Sequence, residues 1–176
     1  EATAGMAIQM LSAIEYLHKI NIMHRDIKAE NFLLESDSPS PVVKLIDFGF
    51  ATHFNKQDIF TETCGSLAYM APELIKKRYS YLVDMWAFGV MIYLLLYGQY
   101  PYRSKSKKDL YREITSKEPT WVKRGVGELS IDFIQQFLMI DPLNRFECTE
   151  GLLHPFLGLG PEPSAPGSSS DSQRVI

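Results

Sequence analysis

The polar segment at residues 24–31 holds the side chains of this sequence that are best suited to chemistry. Asp26 and Asn31 lie within it, and Asp47 follows further along the chain. Carboxylate and amide oxygens are hard donors of the kind that Mg²⁺ prefers. A small hairpin predicted between the two aspartates can fold them back onto one cleft. Taken singly, an aspartate in a polar loop is usually a turn or cap residue, so the structural context decides its role.

A helix and a hairpin are predicted to position this segment. Apolar residues recur at helical spacing from the start of the chain, which predicts a first helix that ends near Asn21, with His18 off its apolar stripe. Two short apolar runs, at residues 32–34 and 42–46, are joined by a turn rich in Pro, Ser and Asp and predict the hairpin. Residues 47–73 lack periodicity and are predicted to form a long loop.

Helices are predicted for much of the remaining chain. Residues 82–97 contain the longest apolar stretch, which is too short to cross a bilayer and is typical of a helix buried in a core. Shorter helices are predicted at residues 109–114, at 130–140 with Ser130 as the N-cap, and at 149–153. The predicted fold class is therefore mainly α (α+β), with one small β-hairpin.

Composition narrows the class of protein. The chain has 176 residues, of which 45% are hydrophobic, enough for a core, and its net charge of −3 argues against nucleic-acid binding by bulk electrostatics. Cys64 and Cys148 lack metal-ligand spacing, which disfavours a disulfide-rich secreted domain and a zinc ribbon and indicates an intracellular, cytoplasmic or nuclear protein. The basic run at residues 103–108 is interpreted as a solvent-exposed segment that leads into the next helix. Residues 158–176 are rich in Pro, Gly and Ser and are predicted to be a disordered tail.

Three short motifs occur in an order that protein kinases share. The first contains His24, Arg25, Asp26, Lys28 and Asn31, the second is Asp-Phe-Gly at residues 47–49, and the third is Ala-Pro-Glu at residues 71–73. Together they resemble the catalytic loop, the metal-binding triplet and the end of the activation segment of eukaryotic serine/threonine protein kinases, most closely the calcium/calmodulin-dependent and calcium-dependent group. The resemblance extends over residues 1–157 and implies the C-terminal lobe of a kinase catalytic domain.

This resemblance implies a role for each matched side chain. Asp26 would orient the substrate hydroxyl, and Lys28 would neutralise charge on the transferred phosphate. Asn31 and Asp47 would bind Mg²⁺. Glu30 follows the pattern of acidic residues that recognise a basic residue of a substrate peptide, although a solvated loop charge is the alternative. The nucleotide-binding set implied for ATP is Lys28, Glu30, Asn31 and Asp47.

A regulatory contact is also implied. In kinases with an arginine before the catalytic aspartate, a phosphorylated residue commonly pairs with that arginine, and here Glu62 stands at the usual position. We expect Glu62 to supply Arg25 with a permanent negative charge, the alternative being an exposed surface glutamate. Thr61 and Thr63 flank it as candidate phosphorylation sites. Ser66 matches the loop beneath the substrate residue that follows the phosphorylated position.

Four further matches are structural. His24 opens the catalytic-loop motif. Asp84 begins the apolar helix and needs a polar partner, because an unpaired buried carboxylate is costly; the resemblance implies that it binds the catalytic-loop backbone. Glu73 and Arg145 match a pair that joins the Ala-Pro-Glu motif to a late helix, with a surface arginine as the alternative.

The sequence departs from the family at its beginning. Only 23 residues precede His24, and neither the glycine-rich loop nor the lysine-bearing strand of a kinase N-terminal lobe is found there. The resemblance implies ATP-dependent phosphoryl transfer to serine or threonine hydroxyls, present as the catalytic half, with weak activity unless an N-terminal lobe joins it. The expected partners are a protein or peptide substrate and that lobe, without nucleic acid or a membrane span. Two alternatives stay open: a non-catalytic binding or scaffold module, and a metal-dependent hydrolase using Asp26 and Asp47.

Overall fold

The computed structural model describes residues 2–35, 41–121 and 125–158. Most of the predicted hairpin turn lies outside the described residues, and so does the predicted tail apart from Gly158. Within the described part, the fold is mainly α, as predicted. No helix among these residues is long and apolar enough to span a membrane.

A buried central helix, α3 (Val83–Tyr97), organises the core. Its first eleven residues are all buried, which explains the almost continuous apolar sequence. Helices α1 (Ala2–Lys19) and α5 (Glu128–Phe137) pack against it. Gly89 permits α3 to approach α5 closely, since a Cβ there would lie 2.7 Å from the Cβ of Phe137. The helix ends at Gly98, whose φ of 65° gives the left-handed cap that glycine favours.

Two small antiparallel sheets flank the polar segment. Strands β2 (Phe32–Leu34) and β3 (Val43–Leu45) form the predicted hairpin, with Phe32 opposite Leu45. The second sheet was not predicted: it pairs β1 (Ile22–Met23) with β4 (Thr52–His53). Because each of its strands has only two residues, neither shows the alternation that identifies a strand from sequence.

The prediction of a continuous loop at residues 47–73 is wrong in part. Besides β4, this stretch contains a 3-10 turn at Leu67–Tyr69 and the start of a short helix, α2 (Pro72–Ile75). Phe60 also forms an isolated bridge with Tyr79. These elements are too short for a helical period to appear, and they are stabilised by contacts with distant parts of the chain.

The later helices are present with shifted boundaries. Helix α4 (Lys107–Ser116) begins inside the basic run, because the Ser106 hydroxyl accepts a hydrogen bond from the Asp109 N–H at 3.0 Å. The prediction of Ser130 as the N-cap of α5 is wrong: Gly127 is the N-cap and its carbonyl accepts from the Ser130 N–H, which places Ser130 in the first turn. Helix α5 ends at Phe137 rather than at residue 140. The last helix is α6 (Cys148–Leu152).

Candidate functional site

The carboxylate of Asp26 lies at the centre of the candidate site. Asp26 is 5% exposed. Its Oδ1 accepts two hydrogen bonds from Ser66, from the backbone N–H and from the hydroxyl, both at 2.9 Å. Its Oδ2 accepts from Lys28 Nζ at 2.6 Å and from Asn31 Nδ2 at 3.3 Å. Ser66, which is 40 positions away in the sequence, is thus brought into direct contact with Asp26 in the polar segment.

Charge is balanced locally between Asp26 and Lys28. Burial by itself would raise the pKa of Asp26, but the hydrogen bonds from Lys28 and Ser66 outweigh it, so that this pKa lies below its ordinary value. The hydrogen bond to Asp26 raises the pKa of Lys28, and the charge of Asp47 adds to this effect. At neutral pH the pair is therefore an anion beside a cation.

The backbone of the polar segment is held by Asp84 at the start of α3. Asp84 is buried, and its two oxygens accept from the N–H groups of His24 and Arg25, each at 2.8 Å. A third contact, 3.0 Å long, joins Asp84 to His18 Nε2. The sequence placed His18 outside the packed stripe and missed this contact. Two features of the sequence could have indicated it: His18 lies one helical turn after Ile14, and a buried carboxylate requires polar partners.

Asp47 is brought alongside the segment by the end of the hairpin. The preceding residue, Ile46, donates its N–H to the Asn31 carbonyl at 2.9 Å, and its own carbonyl accepts from His24 Nε2 at 3.2 Å. Asp47 is exposed, with a φ of 60° and one carboxylate oxygen that accepts from the Gly49 N–H at 3.2 Å. The left-handed backbone is uncommon for a residue with a side chain and is typical of functional sites.

The oxygen atoms of Asn31 and Asp47 are of the kind that binds a hard divalent cation. Asn31 Nδ2 donates both to the Asp26 carbonyl at 2.8 Å and to the Asp26 carboxylate, and neither bond uses the amide oxygen. The carboxylate of Asp47 is the second candidate ligand, and Asp47 directly follows Ile46, whose backbone N–H donates to the Asn31 carbonyl. Amide and carboxylate oxygens are ligands that suit Mg²⁺.

Arg25 joins the polar segment to residues 50–63. Its backbone is left-handed, with a φ of 66°, and its Nε donates to the Phe50 carbonyl at 2.7 Å. Its Nη1 donates to Glu62 Oε2 at 3.0 Å, so the structure contains the contact that the sequence suggested. The carboxylate side chain of Glu62 is 75% exposed. Thr61 and Thr63 are exposed on either side of it.

Tyr79 is a second partner of Arg25 that sequence reasoning missed. The same Nη1 atom donates to the Tyr79 hydroxyl at 3.3 Å. Burial lowers the pKa of Arg25, but the hydrogen bonds to Tyr79 and Glu62 more than compensate and raise it. No local pattern signals this contact, because the two residues are 54 positions apart.

Gly65 sets the geometry of Ser66. Its φ is 86°, and a Cβ there would lie 2.5 Å from the Arg25 carbonyl oxygen. Only a residue without a side chain permits the chain to approach the polar segment so closely. Ser66 consequently reaches Asp26 with both its N–H and its hydroxyl.

Glu30 is exposed at the edge of the site. The hydroxyl of Tyr69 approaches its Oε2 at 3.5 Å, and the Tyr69 ring packs edge-on against Tyr100 with 5.5 Å between ring centres. Burial raises the pKa of Tyr69, which stays protonated and able to donate. No hydrogen bond described for Glu30 joins it to Asp26 or Lys28, but its charge helps to raise the pKa of Lys28.

Glu73 and Arg145 form a buried, bidentate ion pair. The second of its two bonds joins Arg145 Nη2 to Glu73 Oε2 at 3.0 Å. Arg145 also donates to the Leu82 carbonyl at 2.9 Å, and its guanidinium carbon lies 5.1 Å from the ring centre of Trp86. The pair therefore ties α2 to the start of α3 and to the segment after α5.

Known proteins of similar sequence share one family. The family model described as the protein kinase domain matches residues 1–157. The chain is 35% identical to the serine/threonine-protein kinase RAD53 of Saccharomyces cerevisiae, over 92% of this chain and 22% of that protein. It is 33% identical to calcium-dependent protein kinase 27 of rice, Oryza sativa, over 98% of this chain and 29% of that protein. It is 36% identical to a probable myosin light chain kinase of Dictyostelium discoideum, over 85% of this chain and 39% of that protein.

The chain thus spans between about a fifth and two fifths of the length of these relatives. The family match covers well over half of the chain, and the relatives include serine/threonine kinases and calcium-dependent kinases. The resemblance seen in the three sequence motifs is therefore confirmed: this chain belongs to the protein kinase family.

Proposed function

We propose that this chain provides the catalytic half of a serine/threonine protein kinase that transfers a phosphoryl group from ATP to a protein hydroxyl. The observation that carries the proposal is the arrangement around Asp26. A buried carboxylate with a lowered pKa is held beside the Lys28 ammonium and an amide side chain. Phosphoryl transfer depends mainly on positioning and on neutralising charge, and these three groups supply both.

Asp26 is suited to orienting the acceptor alcohol. A carboxylate offers about four lone-pair positions, and here they receive two bonds from Ser66, one from Lys28 and one from Asn31. The longest of these, 3.3 Å from Asn31, is the easiest to exchange for a substrate hydroxyl. Because the transition state is loose, Asp26 needs to align the alcohol more than to remove its proton early.

Lys28 and the Mg²⁺ ligands complete the charge balance. The raised pKa of Lys28 keeps its ammonium charged beside the acceptor position. Asn31 and Asp47 would hold Mg²⁺, which when bound neutralises charge on the ATP phosphates. The proposed partners are accordingly Mg²⁺-ATP and a protein that presents serine or threonine. Glu30 is proposed to face a basic residue of that protein.

A reconstitution assay tests the proposal. The chain is incubated with Mg²⁺-ATP and a basic serine peptide, alone and together with a separately expressed N-terminal lobe of a related kinase. We expect phosphate transfer in the mixture and little from the chain alone, because one lobe supplies only part of a nucleotide site. Absence of transfer in both samples would favour the non-catalytic binding module instead.

Matched variants separate chemistry from folding. Asp26→Asn and Lys28→Met are expected to reduce transfer about 100-fold or more, whereas Lys44→Met, an exposed lysine on the hairpin, is expected to leave it unchanged. Equal losses in Lys28→Met and Lys44→Met would contradict the assignment. Circular dichroism of each variant verifies that the fold is retained.

A further inference from the structure

Tyr79 lies where Arg25 meets the segment at residues 60–66. It is 1% exposed, in the connection between α2 and α3. Its backbone exchanges two hydrogen bonds with Phe60, of 2.8 and 3.0 Å, and the two rings stack at 5.8 Å. Its hydroxyl accepts from Arg25 Nη1 at 3.3 Å and lies 3.9 Å from the Cys64 Sγ. One side chain thus contacts both the polar segment and the residues that lead to Gly65 and Ser66.

The two partners of Arg25 differ greatly in exposure. The Glu62 side chain is 75% exposed, whereas the Arg25 side chain it meets is 10% exposed. Ion pairs open to water are weakened by solvent and salt and often contribute little. A buried hydroxyl bonded to a charged group is different, because removing it leaves a shielded donor without a partner.

We propose that Tyr79 is a positioning residue whose hydroxyl, more than the carboxylate of Glu62, fixes Arg25 and thereby holds residues 60–66 against the polar segment. The segment would then be ordered without phosphorylation and with little sensitivity to salt. The effect expected on phosphoryl transfer rests on the proposed function, whereas the effect on the order of the segment does not.

The test uses the natural thiol of Cys64 as a reporter, so no label has to be introduced. Cys64 is half-buried beside Tyr79, and Cys148 is buried in the core, where burial raises the pKa of its thiol. Thiol modification under native conditions, mapped by mass spectrometry, reports local opening at Cys64 against an internal control. Because the Tyr79 hydroxyl also contacts the Cys64 thiol, hydrogen exchange of the amides at residues 60–66 is measured in the same variants and must rise in parallel. We expect Tyr79→Phe to accelerate modification of Cys64 about tenfold, which corresponds to the free energy of one hydrogen bond to a charged group. Modification of Cys148 should not change.

Glu62→Gln is the matched comparison, and Tyr16→Phe, an exposed tyrosine on α1, is the control. We expect Glu62→Gln to accelerate Cys64 modification less than threefold, and Tyr16→Phe to have no effect. Since both partners act on one guanidinium, the double variant Tyr79→Phe/Glu62→Gln should exceed the product of the single effects. A larger effect from Glu62→Gln than from Tyr79→Phe, or independent effects in the double variant, would overturn the proposal.

A salt titration of the unaltered chain needs no variant and remains informative if Tyr79→Phe folds poorly. Hydrogen exchange of the amides at residues 60–66 should change less than twofold between 0.05 and 1 M NaCl, because the Tyr79 contact is shielded. Strong acceleration by salt would show that Glu62 dominates. In the reconstituted kinase, Tyr79→Phe should lower kcat with little change in the peptide KM; if the unaltered protein transfers no phosphate but the Cys64 result holds, the proposed function fails and this inference stands.

Discussion

Ser66 donates two hydrogen bonds to a single oxygen of Asp26, one from its backbone N–H and one from its hydroxyl, each 2.9 Å long. The two residues are 40 positions apart, so this contact fastens two distant loops to each other. The same hydroxyl accepts from Lys28 at 3.0 Å. The geometry of the site therefore depends on the backbone conformation of Gly65, the residue before Ser66.

Gly65→Ala tests that dependence. A side chain is strained at a φ of 86°, and its Cβ would lie 2.5 Å from the Arg25 carbonyl. We expect a loss of more than about 2 kcal/mol in the free energy of unfolding, measured by urea denaturation. The control is Gly98→Ala, where φ is 65° but no atom lies within 4 Å of the added Cβ; it should cost only about 1 kcal/mol. Equal losses would contradict the role of close approach.

The buried Glu73–Arg145 pair should respond strongly to the loss of one partner. Arg145→Met leaves the Glu73 carboxylate buried and is expected to cost about 3–5 kcal/mol in unfolding free energy. The double variant with Glu73→Gln should recover part of this loss, because no uncompensated charge remains. Lys44→Met, which opens the exposed pair of Lys44 with Glu35, should cost less than about 1 kcal/mol. Denaturant unfolding measures all three, and a similar cost for both pairs would contradict the burial argument.

The lowered pKa of Asp26 predicts a pH dependence of stability. Because the folded pKa is below the unfolded value of about 3.9, the carboxylate stabilises the folded state above that pH, and this contribution is lost as pH falls through the folded pKa. The stability difference between the unaltered chain and Asp26→Asn should therefore be constant above about pH 5 and shrink as pH falls below about 4 towards the folded pKa. Urea unfolding at a series of pH values measures it, and a difference independent of pH would refute the linkage.

Two helical glycines should respond to alanine with opposite signs. Gly89 in α3 packs against α5, and a Cβ there would lie 2.7 Å from the Cβ of Phe137, so Gly89→Ala is expected to destabilise the chain by about 1–3 kcal/mol. Gly5 in α1 is exposed with nothing within 4 Å, and Gly5→Ala should stabilise the chain by about 0.5–1 kcal/mol. Thermal unfolding distinguishes the two, and stabilisation by Gly89→Ala would show that the helices can separate freely.

Sequence reasoning succeeded where the information was local. The continuous apolar run of α3, the paired runs of the β2–β3 hairpin and the three motifs that indicate the kinase family are all readable within a few positions. It missed distant contacts that neither a local pattern nor the kinase resemblance signals. His18 meets Asp84 across 66 positions and Tyr79 meets Arg25 across 54. The helical spacing of His18 from Ile14 indicates that His18 faces the core, but it does not identify Asp84 as the partner. The N-cap of α5 was misplaced for a different reason, since a serine in the first turn resembles a cap in composition.

The dependence of His24 and Arg25 on Asp84 has a consequence for biosynthesis. The anchor lies about 60 positions downstream, at the start of α3. A chain emerging from the ribosome therefore displays its polar segment well before the residue that shapes it, and long-range contacts of this kind form late. Nascent chains that end before Asp84 cannot assemble the site. The site can therefore form only after the ribosome has translated the start of α3.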